Sequence, residues 1–317
     1  MRDYILRRLL LLIPIMFGVT FLTFLAYRII PGDAAHITCG IECTPETLDA
    51  LREQYGLNRP WYEQYFGWVW DVAQFDLGSS FLYKTPVTTE LGRRLPITAE
   101  LLAMTVTFAL AIGIPVGMLS AIRPATPLDW LSRLISVLFL SIPNFYLGIL
   151  LITFGLLWFG WSPPQFGKGY VPIYDDPWTN LQEFFFPALV LALAESAVLM
   201  RLVRSSMLEV LRNDYIRTAW SKGLRERAVV WRHALKNAII PIVTVIGLQI
   251  GGLLGGAVIV ESLYNLNGMG KYILEAIIRR DIFVVQSVTL LFAISYVMAN
   301  LLVDLTYAWL DPRIRYA

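Results

Sequence analysis

Six apolar stretches limit what this chain can fold into. They run from about Leu9 to Ala26, Ala99 to Ala121, Leu134 to Trp158, Phe184 to Leu202, Pro241 to Val260 and Val284 to Trp309. Each is close to the roughly 20 residues that a helix needs to cross the hydrocarbon of a bilayer. In that medium backbone N–H and C=O groups find no water, so a spanning segment must bond them internally as a helix. Composition agrees: 56% of the residues are hydrophobic and 16% charged, with a mean hydropathy of +0.58. An ordinary soluble domain is excluded. The expected class is an all-α integral membrane protein of about six transmembrane helices.

Charge then orients the spans. The net charge of +2 points to no particular partner and gives no reason to expect nucleic acid. Its distribution says more. Arg217, Lys222, Arg225, Arg227, Arg232 and Lys236 crowd between Asp214 and Pro241, opposed by Asp214 and Glu226. A cationic segment between two spans belongs on the cytoplasmic side. Between Ala34 and Thr98 acids outnumber bases, which suits the opposite side. Both termini are then cytoplasmic. Arg2, Arg7 and Arg8 before the first apolar run could open a signal peptide, but the run is long for one and no small-x-small site follows. A retained first helix is expected. The basic residues from Lys271 to Arg280 run weakly against this orientation.

Local patterns refine the picture. Leu224, Ala228, Trp231 and Leu235 recur at spacings of four, three and four, one helical face, and Gly223 permits a bend. The expectation is a short helix, a glycine joint and a second amphipathic helix at the cytoplasmic surface. By charge alone the segment also admits a second, less favoured reading as a solvated, lipid-facing loop. Thr44 to Tyr55 reads as a short external helix, with Thr44 as N-cap, Pro45 first and Gly56 at its end. The aromatic cluster Trp61, Tyr62, Tyr65, Phe66, Trp68 and Trp70 suits an interfacial belt or a small packed core. Cys39 and Cys43 are the only cysteines, spaced C-x3-C in the external loop. They could be a disulfide in an oxidising compartment, free thiols, or a weak metal or redox pair.

Inside the spans, Pro115 sits between Gly113 and Gly117, a pattern that permits a kink. Pro143 and Asn144 interrupt the third span, either as a helix kink or as a bend lining a pathway. Glu195 lies deep in the fourth span, where a carboxylate is costly and calls for a functional or pairing role. It either lines a translocation route and meets a cationic or amine-bearing substrate, or pairs with a neighbouring helix or is protonated. The fifth span carries Gly247, Gly251, Gly252, Gly255 and Gly256 at G-x-x-x-G spacing, which lets backbones approach closely. Gly251 and Gly255 could line a contact with another subunit and slide during gating, or pack within this chain. No catalytic array is evident: the spacing around Gly268, Gly270 and Lys271 is not that of a phosphate loop, no H-E-x-x-H occurs, and no metal site is expected.

Several of these patterns resemble one family. Arg217-Thr218-Ala219, Lys222, Gly223, Leu224 and His233-Ala234-Leu235-Lys236 resemble the E-A-A-x3-G-x9-I-x-L-P coupling loop of ABC importer permeases, with Arg217 in place of the Glu and Lys236 in place of the Pro. Both departures are common in the B-type permease of dipeptide, oligopeptide and nickel importers. Arg28 to Asp33 is similar to that family's R-x-x-P-G-D exit from the first helix. Ser141-Ile142-Pro143-Asn144-Phe145-Tyr146-Leu147-Gly148 resembles its S-I-P-x-F-x-x-G, and Leu310-Asp311-Pro312-Arg313-Ile314-Arg315-Tyr316 its tail. The resemblance covers nearly the whole chain. It implies a type I ABC importer permease with a first helix at 1–30, an extracytoplasmic subdomain at 31–98, and a five-helix core at 99–317 with the coupling loop at about 205–240.

The resemblance also implies partners: a C-type permease subunit, two cytoplasmic ATPase subunits, an external substrate-binding protein and the lipid bilayer of a bacterial or archaeal cytoplasmic membrane. No cofactor belongs to this chain; ATP and magnesium belong to the ATPases. The implied cargo is dipeptides or oligopeptides, with nickel chelates, glutathione or oligosaccharides as alternatives. A stand-alone secondary transporter is the alternative of another class. It would show internal repeats and several mid-membrane carboxylates, whereas no clear repeat is found and Glu195 is a single candidate.

Overall fold

The structure, a computed structural model, describes residues 2–29, 35, 39, 43–81, 83–163 and 170–310, with side chains for all of these but 2–9, 27, 240 and 307–310. The helix-exit motif beyond Ile29 and the tail from Asp311 onward lie outside the described residues. The helices are α1 (Arg2–Ile29), α2 (Pro45–Gln54), α3 (Trp61–Ala73), α4 (Val87–Ile122), α5 (Pro127–Ser141), α6 (Asn144–Phe159), α7 (Pro177–Leu211) and α8 (Asp214–Ser221). A last run begins with α9 (Glu226–Ala228), passes through a π-helical segment (Val229–Ala234) and continues as α10 (Leu235–Leu263); α11 (Met269–Arg279) and α12 (Ile282–Leu310) follow.

Among the described residues, four helices are long and apolar enough to cross a membrane: α4, α7, α10 and α12. In α1 the described apolar stretch is the shorter Leu10–Ala26. The third span expected from sequence is not one kinked helix. It is α5 and α6, bent by 99° at their junction. Pro143 has no N–H to continue the ladder, and a residue before proline is pushed out of the helical region. Ile142 is extended (φ −94°, ψ 122°). The break thus follows from two adjacent residues.

The chain divides into two compact units, Met1–Thr98 with Asn267–Met298, and Ala99–Leu266 with Ala299–Ala317. In the first, α3 docks on α1 through Tyr65. Its ring is fully buried against Phe17, Phe21 and Phe24, and its hydroxyl donates to Phe17 O at 2.9 Å and lies 2.9 Å from Thr20 Oγ1. A second core joins Val87 and Leu91 of α4 to Met269, Tyr272 and Ala276 of α11 and Val284, Val285 and Val288 of α12. Polar contacts fix it: Ser80 Oγ donates to Asp281 Oδ2 at 2.5 Å, and Met269 N–H donates to Thr98 Oγ1 at 2.8 Å. Thr44 caps α2 as the sequence predicts, with Pro45 next and Gly56 just past its end at φ +64°.

In the second unit α7 is central. A Cβ on Gly113 would stand 2.7 Å from Leu199 Cβ, and one on Gly117 2.8 Å from Met200 O. These glycines therefore let α4 and α7 pack at close range. Gly148 does the same for α6 against Leu263 and Tyr264 at the end of α10.

Candidate functional site

The basic segment after α7 is built as two surfaces. On α8, Ile216 and Ala219 are buried, while Tyr215, Arg217, Thr218 and Trp220 are exposed. The two buried residues pack in one core with Met207 of α7, with Val229, Val230 and Ala234 of the π segment, and with Ala238 and Ile242 of α10. Asn237 Nδ2 donates to Tyr215 Oη at 2.9 Å and to His233 O at 3.0 Å, fastening α10 to α8. The helix ends where Gly223 takes a left-handed φ of +73°, with its N–H bonded to Trp220 O at 2.9 Å. This conformation costs a residue with a Cβ about 1–2 kcal/mol, less for Asn or Asp.

The second helix of the segment departs from the sequence expectation. Leu224 precedes it and is 39% exposed, and Trp231 is 54% exposed. The buried positions are Val229, Val230 and Ala234. A π turn holds one residue more than an α turn, so the register read with a period of 3.6 slips across it. The segment is also no separate helix, because it runs without a break through Pro241 into the fifth span. Of the residues expected at a coupling surface, Ala219 and Ala234 are buried, His233 and Leu235 are half-buried, and Arg217, Thr218, Lys222, Gly223 and Leu224 are exposed.

Just before this segment lies a polar knot that sequence reasoning missed. Asp129, 1% exposed, accepts from Arg204 Nε at 2.7 Å and Nη2 at 3.1 Å, from Ser120 Oγ at 2.5 Å and from Ala125 N–H at 3.0 Å. It ties the end of α4 and the start of α5 to α7. The signal was Thr126-x-x-Asp129, a Thr cap with an acid three residues on; Thr126 Oγ1 accepts from Asp129 N–H at 3.5 Å.

The expected pathway residues are not gathered at one point. Pro143 is exposed and Asn144 half-buried at the α5–α6 break. Glu195 is half-buried in α7, and among the described residues none gives it a hydrogen bond or an ion pair. Gly247 is crowded by Val303 and Gly256 by Leu191, whereas Gly252 and Gly255 face open space; Gly251 is half-buried. Only part of the glycine series therefore packs within this chain. Cys39 and Cys43 are joined by a disulfide, with Cα atoms 5.3 Å apart. Cys39 borders a cleft of about 670 Å³ that Tyr55, Phe81, Lys84 and Phe283 also line.

The arrangement of membrane-length helices matches a known fold: 70% of the chain matches 96% of a chain from the MetNI methionine ABC transporter in inward-facing conformations, with TM-score 0.57 and 20% identity. The chain belongs to the family of binding-protein-dependent transport system inner membrane components, which matches residues 113–316; the N-terminal model of such membrane components matches residues 1–103. The protein is thus a multi-pass permease of an ABC importer. Similar relatives include the dipeptide transport system permease protein DppB of Alkalihalophilus pseudofirmus, 39% identical over the full length of both chains. The oligopeptide transport system permease protein AppB of Bacillus subtilis and the glutathione transport system permease protein GsiC of Escherichia coli are each 38% identical, again over the full length of both.

Proposed function

We propose that this chain is the B-type permease of an importer of short peptides, forming one half of the translocation path. The other half is an unlike C-type permease. Two cytoplasmic ATPase subunits bind ATP and magnesium and drive the cycle, and an external binding protein delivers the peptide. Both termini and α8 lie in the cytoplasm. The peptide assignment is supported by relatives named for dipeptides and oligopeptides at about the same identity over their full length. The glutathione relative fits the same class, because glutathione is itself a tripeptide.

One observation carries the coupling role: the two faces of α8. Ile216 and Ala219 key it into the core of the membrane helices, so it cannot move without them. Arg217, Thr218, Trp220 and Lys222 stay exposed and dock on the ATPase. Aromatic and cationic side chains together are what tight protein contacts favour. When ATP closes the ATPase pair, α8 moves and carries α7 and α10 with it.

The test is co-purification of the ATPase subunits with the permease in mild detergent. The double variant Arg217→Glu with Trp220→Ala should lower ATPase recovery at least about tenfold, as loss of a central contact pair does. The amount of permease in the membrane should not change. Full ATPase recovery with full peptide uptake would remove the assignment.

A further inference from the structure

Resting on the peptide-importer reading, we infer that Glu195 and Arg201 on α7 form a two-point site for the charged termini of a short peptide, Glu195 taking the ammonium and Arg201 the carboxylate. Burying an unpaired charge in hydrocarbon is too costly to persist without use. Glu195 has no hydrogen bond or ion pair among the described residues. Nearby Ser196 does not serve it, since its hydroxyl is spent on Leu193 O at 2.7 Å. The face that bears Glu195 continues at Val198 and Leu202, three and seven residues on, which fall on one side of a helix.

Val198 and Leu202 line a cleft of about 770 Å³ between α5 and α7, and Glu195 lies one helical turn before its lining. Three arginines line it: Arg133, Arg201 and Arg204. Two of them are engaged with Asp129, Arg204 at 2.7 Å and Arg133 at 3.5 Å. Arg201 is exposed and, among the described residues, carries no ion pair. Three residues beyond Val198, a little under one turn, Arg201 offers an uncommitted cation at the cleft, while Glu195 offers an uncommitted anion one turn before Val198.

The spacing suits one class of ligand. Six residues of helix separate the two positions, about 9 Å along the axis. An extended chain spans at most about 3.3–3.6 Å per residue, so the termini of a di- or tripeptide stand roughly 7–10 Å apart. Both side chains are long and adjust to the difference. Since neither backbone nor side chains of the peptide are read, the site accepts many sequences and rejects peptides with blocked ends.

The experiment uses the whole transporter in proteoliposomes, with permeases, ATPases and binding protein. Uptake is measured for a free tripeptide, its N-acetylated form and its C-amidated form, each at saturating binding protein. Glu195→Gln should slow uptake of the free peptide about tenfold, the usual worth of one charged hydrogen bond, and leave the N-acetylated peptide within about twofold. Arg201→Gln should do the same for free against C-amidated peptide, and Arg201→Lys should restore part of the rate. Equal slowing of all three peptides, no slowing, or loss of subunit assembly in Glu195→Gln would overturn the inference. If the unaltered transporter carries no peptide at all, the peptide-importer reading itself fails, and that outcome is separately visible in the first measurement.

Discussion

Arg204 and Glu195 both lie on α7, and the chain treats them in opposite ways. Arg204 gives two hydrogen bonds to Asp129 and a third, at 3.1 Å, to Ser120. Glu195 receives none among the described residues. A charge at the edge of a core is costly unless it is paired and hydrogen-bonded, and the Arg204 site meets that condition in full. The partners come from α4, the turn after it, and α5, so the ion pair also sets where these helices meet α7. The Glu195 site meets none of it. Of the two charges, one serves the fold and the other has no partner among the described residues.

This contrast breaks first at Asp129. Asp129→Ala removes the acceptor of Arg204, Ser120 and the Ala125 N–H together. Breaking a buried pair from one side costs about 3–5 kcal/mol, and Arg204, whose side chain is 24% exposed, places this case at the lower end. The amount of folded permease recovered from membranes should fall sharply, with a lower unfolding midpoint in detergent. Asp129→Asn keeps an acceptor for Ser120 and should lose less. If Asp129→Ala folds as well as the original chain, the pair is ornamental and the contrast with Glu195 has no basis.

Next in size is Gly117→Val. The new Cβ would stand 2.8 Å from Met200 O, and a backbone atom cannot rotate away as a side chain can. Separating α4 from α7 should cost about 1–3 kcal/mol and would stretch the Arg204 knot, which joins the same two helices. A double variant with Asp129→Asn should then lose less than the sum of the two single losses, because the sites share one contact. Strict additivity would mean that the glycine packing and the ion pair act independently.

Gly223→Val comes third. Its left-handed φ costs a β-branched residue about 1–2 kcal/mol, spent on the turn after α8 and not on the membrane helices. The permease should reach the membrane, but peptide-stimulated ATP hydrolysis should drop. Gly223→Asn, which tolerates this conformation, should retain most of the activity. Equal loss in both variants would point to a contact at Gly223 and not to its backbone.

The membrane class and most spans were legible because runs of apolar residues at this length have few other uses. The cap at Thr44 was legible as local chemistry. Other features depended on distant residues. Gly113 and Gly117 read as partners of a kink at Pro115, whereas their role is set by Leu199 and Met200 across the interface. Ser80 meets Asp281 across 201 positions of sequence, and no local pattern carries that pairing. The buried face of the segment after α8 was misjudged because a π turn changes the period that the reading assumed. Around the candidate site, the oddness of Glu195 was visible from its cost alone. Its lack of a partner was not, because absence of pairing is a property of the folded chain.

The smallest expected effect sharpens the contrast most. Glu195→Gln removes a charge that has no partner among the described residues, so no favourable pairing within the folded chain is lost. Its amide keeps the volume and a polar group, and substitutions away from named structural features usually stay within about 0.5 kcal/mol. The unfolding midpoint and yield of the isolated permease should therefore match the original, and Glu195→Leu should match or exceed it, because a carboxyl in an apolar helix is replaced by an alkyl group. Asp129→Ala and Glu195→Leu would then move stability in opposite directions though each deletes one carboxylate. A loss of stability in Glu195→Leu comparable to that in Asp129→Ala would show that Glu195 is tied into the fold after all, and would remove the reason for assigning it to the cargo.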